Sequence, residues 1–214
     1  MSTEISFTHL MPTLGEQATI IGQTGRGKSV WLRKMVEHYR GIRQIIVIDE
    51  KQDDIWDGCG EIIRQGLRLP RFQFPKFDCL VWRPDGEQAD DYDLKDGIFE
   101  WIYQRGHTVL AVDEAARAAK SPLSPGRGLN DLNMRGRKRD ITRLYGMQRA
   151  SNVPRTMISE SQRYFIKAVV DKRDREIISS FAGERAKKPI PDQYGMLYID
   201  VARDESWYFP KPPQ

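Results

Sequence analysis

With 214 residues, 39% hydrophobic and 30% charged, the chain has room for one α/β domain with a sizeable core and little room for a second. No segment approaches the ~20 apolar residues of a membrane helix, and the first ten residues carry Glu4 and no long apolar run, which argues against a secretory leader and predicts a cytoplasmic protein. Net charge is only +4, but residues 115–188 hold 18 basic against seven acidic side chains, a balance of +11 that leaves −7 on the rest and points to a face meeting a polyanion, or to a solvated helix surface.

In chain order, strand and helix signals alternate as a parallel sheet with crossover helices requires, so the predicted fold class is α/β. Residues 17–21 are a short apolar strand, followed by a glycine-rich loop. Residues 28–39 read as a helix with Val30, Met35, Val36 and Tyr39 in one apolar stripe, closed by Gly41. Residues 44–49 form a buried strand ending in acid, and residues 53–77 read as loops with one short amphipathic piece around 61–67. A strand at 79–82, a helix at 93–104 and a strand at 108–112 follow, the last ending at Asp113 and Glu114. The clearest loop is 121–128, Ser-Pro-Leu-Ser-Pro-Gly-Arg-Gly. Beyond it come a helix at 129–138, strands at 142–147 and 164–170, and a helix at 171–181. Residues 195–209 alternate as a terminal hairpin around Arg203 and Asp204, and 211–214 are a tail. Trp31, Trp82, Phe99 and Trp101 fall in these patterns as core. Cys59 and Cys79 are the only cysteines and, with His9, His38 and His107 scattered, make no zinc constellation; two buried reduced thiols are expected.

The loop after the first strand carries the chemistry. Residues 22–29 read Gly-Gln-Thr-Gly-Arg-Gly-Lys-Ser, the phosphate-loop pattern in its required place between strand and helix. Gly22, Gly25 and Gly27 let the backbone fold so that N–H groups, including those of Gln23, Thr24 and Arg26, point at phosphate oxygens, and the helix N-terminus through Val30 adds its dipole. Lys28 is expected to meet the β- and γ-phosphates of ATP, and the Ser29 hydroxyl to ligate Mg2+. Asp113 at a strand tip is placed to hold the magnesium shell, and Glu114 to take the proton of an attacking water. Gln148 ends the 142–147 strand in the same way, where an amide reaches both γ-phosphate and water.

These motifs together resemble the FtsK–HerA superfamily of ring-forming DNA pumps. The loop has its threonine before the second glycine, Asp113-Glu114-Ala115 is similar to its Asp-Glu-Ala signature, and Gly136-Arg137-Lys138 with Gln148-Arg149-Ala150-Ser151 is similar to its Gly-Arg-Lys … Gln-Arg-Pro-Ser stretch, Ala150 standing where proline is usual. The run 152–160 and the Asp-Lys-Arg-Asp segment 171–174 look like those of genome-packaging ATPases of icosahedral viruses with an internal membrane. The resemblance implies a three-layer, RecA-like P-loop ATPase with a mainly parallel central sheet, its core at about 17–182 and a C-terminal hairpin and tail at 183–214, all in a single domain spanning 1–214. It implies a homo-oligomeric ring, expected to be a hexamer, that moves double-stranded DNA into a preformed capsid, with vertex or membrane-vertex proteins as further partners and the virion vertex as a second location. Sites shared between subunits need an arginine from the neighbour. Arg137 matches the motif arginine, with Arg135, Arg139, Arg149 and Arg155 as alternatives. The basic loop 120–127 reads as a DNA path or as a subunit contact. An export ATPase acting on protein or filament, and a DNA-binding scaffold without turnover, are the other readings; Glu114 argues against the scaffold.

Overall fold

The computed structural model describes residues 5–65 and 78–211. A short helix α1 (Phe7–Leu10) precedes β1 (Gln17–Ile21), and the glycine loop then opens α2 (Lys28–His38). The strands β2 (Gln44–Ile48), β3 (Glu61–Ile63) and β4 (Cys79–Trp82) lead to the helices α3 (Gly86–Asp90) and α4 (Tyr92–Arg105). Next come β5 (Thr108–Val112), α5 (Arg127–Arg135), β6 (Thr142–Met147) and α6 (Thr156–Ser159). The chain ends through β7 (Arg163–Ile166), α7 (Lys172–Ala182), β8 (Met196–Asp200) and β9 (Glu205–Phe209).

The strands form one sheet in the order β3-β4-β2-β5-β6-β1-β7-β8-β9. Every pairing from β3 to β7 is parallel, and β8 and β9 close the far edge as the expected antiparallel hairpin. β1, β5 and β6 are buried along their whole length, as parallel strands covered on both faces must be. The side-chain period of two divides β2 between the two cores. Ile46 and Ile48 join Phe99, Leu132 and Ile178 under α4, α5 and α7; Ile45 and Val47 join Trp31, Met35 and Val36 under α2. Three layers result, helices on both faces of a mainly parallel sheet.

The structure corrects several expected details. Val30 is 51% exposed and does not belong to the stripe of α2, which consists of Trp31, Leu32, Met35 and Val36 continuing to Tyr39. At about 100° per residue, position 30 falls opposite the centre of that stripe. Within the piece read at 61–67, residues 61–63 are an edge strand, and 66–77 lie outside the described residues. The strand expected over 164–170 ends at Ile166, because β8 pairs no further and Val170 is 66% exposed.

The helix expected at 129–138 starts two residues earlier, at Arg127. The Asp96 carboxylate on α4 accepts from the backbone N–H groups of Gly128 (3.1 Å) and Leu129 (3.0 Å), capping α5 from a neighbouring helix. A Cβ at Gly126 or Gly128 would run into Asp96, so glycine permits this approach. The same helix stops at Arg135, and Gly136–Arg139 form a tighter 3-10 turn before β6. Three cations of the basic segment are internal rather than facing a partner: Arg143, Arg163 and Lys167 are each 3% exposed or less. Cys59 and Cys79 are both buried, their sulfurs 3.3 Å apart. Trp31, Trp82 and Phe99 are buried and Trp101 packs against the core. Among the described residues no helix is long and apolar enough to cross a membrane.

Candidate nucleotide site

Five parallel strands end in one row, and the row is where the polar residues gather. The order β2-β5-β6-β1-β7 interposes β6 between the strand feeding the glycine loop and the strand feeding Asp113. The loop is pinned at that tip: Gly22 N–H donates to the Met147 carbonyl (3.2 Å) and Gln23 N–H to Ala168 (3.0 Å). Gly25 (φ 76°) and Gly27 (φ 72°) take the left-handed conformation that side-chain-bearing residues avoid. This turns the loop back into α2 with Gly27 at its N-cap.

Across β6, the Ser29 hydroxyl donates to Asp113 Oδ1 at 2.9 Å, and the Trp56 indole N–H donates to Oδ2 at 3.3 Å. Asp113 is 1% exposed. Burial pushes its carboxyl upward, opposed by the charge of Lys51 and by the Ser29 and Trp56 donors. Gln148, directly past β6, spans the gap: the Thr24 hydroxyl donates to its Oε1 (3.0 Å) while its Nε2 donates to Glu114 Oε2 (2.8 Å). Lys51, past β2, pairs with the same Glu114 oxygen at 2.7 Å. A continuous polar chain Thr24–Gln148–Glu114–Lys51 therefore links the glycine loop to the acid strand.

Two buried lysines face this region. Lys28 Nζ donates to the Gln23 carbonyl at 2.8 Å; burial first, and the charge of Lys51 second, lower its pKa to about 8, against the pull of Glu114 and Asp113. Lys167, past β7, is likewise lowered to about 8 by burial and by repulsion from Lys28. Two ammonium groups held this way are a site short of negative charge, which a phosphate chain supplies. The Ser29 and Asp113 oxygens, already adjacent, are the hard donors a magnesium takes when phosphate and water fill its remaining positions.

The structure thus brings Ser29, Asp113, Glu114 and Gln148 to the glycine loop. Arg137 is elsewhere. Its backbone carbonyl packs against Gly15, ahead of β1, at the opposite end of the strands from the loop, and its side chain is exposed. Arg149 lies nearer, beside Gln148, but its guanidinium is engaged by Asp174 (2.5 Å) and Asp171 (2.8 Å). Arg155 lies over the Phe181 ring. Sequence reasoning missed Lys51, Trp56 and Lys167. The rule that singled out Gln148, a polar residue just past the carboxyl end of a parallel strand, applies equally to Lys51 and Lys167.

No protein-family model and no curated protein matches this chain. Solved structures do. The genome packaging NTPase B204 from Sulfolobus turreted icosahedral virus 2, in complex with AMPPCP, superposes with a TM-score of 0.72 at 14% identity, over 92% of this chain and 98% of that one. B204, the DNA-packaging ATPase from Sulfolobus Turreted Icosahedral Virus, gives 0.69 at 17% identity, over 95% and 100%. VirB4 of Thermoanaerobacter pseudethanolicus gives 0.64 at 13% identity, over 92% and 89%. At these identities the likeness is one of fold. The chain has the mixed α/β, mostly parallel P-loop ATPase fold that these proteins share, consistent with the FtsK–HerA superfamily its motifs resemble.

Proposed function

We propose that this protein hydrolyses ATP and uses the energy to move double-stranded DNA, as a ring that packages a viral genome. The observation that carries the ATPase reading is the bridge made by Gln148, which touches Thr24 of the loop and Glu114 of the acid strand at once. A phosphate cradle alone suits a switch or a kinase as well. A cradle wired by hydrogen bonds to a carboxylate base suits hydrolysis.

When bound, ATP with its magnesium supplies the phosphoanhydride bond and the Lewis acid. Lys28 exchanges the Gln23 carbonyl for phosphate oxygens, and Ser29 with Asp113 holds the metal shell. Glu114 accepts the proton of water through Oε1, which no donor engages among the described residues, while Lys51 and Gln148 fix the carboxylate through Oε2. Gln148 changes partner between Thr24 and the terminal phosphate and so reports which nucleotide is present. Arg137, remote from its own loop and exposed, fits a charge lent to the next subunit.

The DNA load is inferred from the named activity of the two B204 proteins and from the exposed cations Lys120, Arg127, Arg137, Lys138 and Arg139. Arg117, in the turn directly after Glu114, pairs with buried Glu50 at 3.0 Å, so the segment leading to Lys120 is tethered beside the site. Phosphate release measured with and without duplex DNA tests the whole reading. Stimulation by duplex is expected; turnover indifferent to DNA but raised by a protein substrate would replace it with an export ATPase.

A further inference from the structure

Two nucleophilic side chains have no task in the nucleotide site: Cys59 and Cys79, the chain's only cysteines. Cys59 follows the 3-10 turn Asp54–Trp56, and Cys79 opens β4. Their sulfurs are in contact at 3.3 Å, within the apolar core under α2. The backbone is built for this meeting. β3 runs parallel to β4 with Glu61 beside Leu80, which sets Gly60 against Cys79. A Cβ on Gly60 would run into the Cys79 carbonyl, so glycine is what lets the two segments close.

Arg40 distinguishes the two sulfurs. Its Nη2 donates to the Cys59 carbonyl (2.6 Å) and to the Cys59 sulfur (3.6 Å), while Glu37 anchors the same guanidinium. A thiolate at Cys59 therefore has a cation beside it. The hydrogen bond with Cys79, aided by the Arg33 and Arg40 charges, holds the Cys59 thiol below its ordinary range against burial; the same bond, with burial, pushes Cys79 up. Cys59 is buried, but Gly58 before it and Glu61 two residues on are exposed, and β3 is the edge strand. The pair lies one residue beneath the surface.

We propose that Cys59 and Cys79 form an oxidation site, at which a small peroxide joins them in an internal disulfide with Cys59 as the attacking thiol. The Cys59 thiolate attacks one peroxide oxygen, the O–O bond breaks, and the departing hydroxide leaves as water with the thiol's proton. The Cys79 sulfur then displaces the hydroxyl of the resulting sulfenic acid. The S–S bond forms, the S–O bond breaks, and the Cys79 proton leaves with that hydroxyl as a second water. The two thiols lose two electrons, and one peroxide is reduced to two waters. The bond closes a loop of about 20 residues, which constrains the unfolded chain. It also fastens to β4 the turn carrying Trp56, whose indole N–H donates to Asp113 Oδ2 (3.3 Å).

Incubation of the full chain with hydrogen peroxide tests the site. The intact mass is expected to fall by two hydrogens, and thiols titrated in denaturant to go from two to none, with no cross-link between chains on a non-reducing gel. The melting temperature is expected to rise by about 5–10 °C and to return on reduction. Two free thiols surviving a dose that oxidises free cysteine overturn the proposal, and so do cross-links between chains. These readouts use the unaltered chain and stand even if a cysteine variant fails to fold. In Cys79→Ser, dimedone is expected to trap a sulfenic acid on Cys59, whereas Cys59→Ser is expected to keep Cys79 as a free thiol at the same dose. The reverse pattern of trapping overturns the assignment of Cys59 as the attacker.

Discussion

Glu114 receives Lys51 and Gln148 on a single carboxylate oxygen, at 2.7 and 2.8 Å. A base held through one oxygen keeps a fixed direction for the other, and losing either donor lets it rotate. Lys51→Met is therefore expected to lower kcat about tenfold to a hundredfold with little change in KM, and Lys51→Arg to recover part of it; a rise in KM alone would make Lys51 a binding residue. Glu114→Gln keeps the shape and removes the basicity, so turnover is expected to fall by roughly 10²–10⁴ with ATP still bound. Lys167 gives a pH signature. Its pKa is lowered to about 8 by burial and by Lys28, and Lys34, Lys211 and Asp192 are the other charges around its cavity. An anion arriving beside it raises that pKa. Binding must then take up protons above about pH 8, and affinity must fall as pH rises through that value. Calorimetry in buffers of different ionisation enthalpy reads the uptake, and Lys167→Met should show less of it. Ser29, Asp113, Glu114 and Gln148 were legible because motif spacing or a strand tip marked each one. Lys51 and Lys167 follow apolar strands too, but a single lysine among 34 basic residues carries no mark until the tips are seen in one row.

Among the elements, the junction of α4 and α5 fixes where the loop after the acid strand ends. Asp96 caps α5 across the helix pair, and Gly126 and Gly128 admit it. Asp96→Ala should cost about 1–2 kcal/mol of stability, the worth of a helix cap, measured by urea unfolding. The alternation of the sequence made most strands and helices visible, and the hairpin was visible as well. A cap donated from another helix has no sequence spacing, which is why α5 was placed two residues late. Val30 was assigned to the wrong face because apolar character alone does not separate a core position from an exposed one. At the other end of α5, the Gly136–Arg139 turn sets Arg137 against Gly15. An arginine there is remote from the glycine loop of its own chain, which is why the proposed role for Arg137 is in the site of a neighbouring subunit. In mixed rings, a Glu114→Gln subunit should lend its arginine to an Arg137→Ala neighbour and restore turnover that neither variant shows alone; no recovery in demonstrably mixed rings would remove Arg137 from that role.

For the whole molecule, the basic excess divides into cations inside the sheet and cations on the surface, and only the second group can meet DNA. Each phosphate neutralised contributes about −0.9 to the slope of log K against log salt on duplex DNA. Lys120→Glu with Arg127→Glu should flatten that slope and reduce DNA-stimulated turnover while sparing basal hydrolysis. Lys120 and Arg127 are both exposed, and Arg127, 86% exposed, has Asp131 as its ion-pair partner among the described residues, at 3.8 Å. The strand order has a different consequence, for the nascent chain. β1 pairs only with β6 and β7, and Gln17 meets Arg143 across a sequence separation of 126 residues. Until β6 has been synthesised, the strand that launches the glycine loop has no ladder on either side. Contacts of such range form slowly because a long loop must close first. The ability to hold a nucleotide therefore arrives late in folding, and polypeptides stalled on the ribosome short of β6 should carry the complete glycine loop and yet retain no nucleotide.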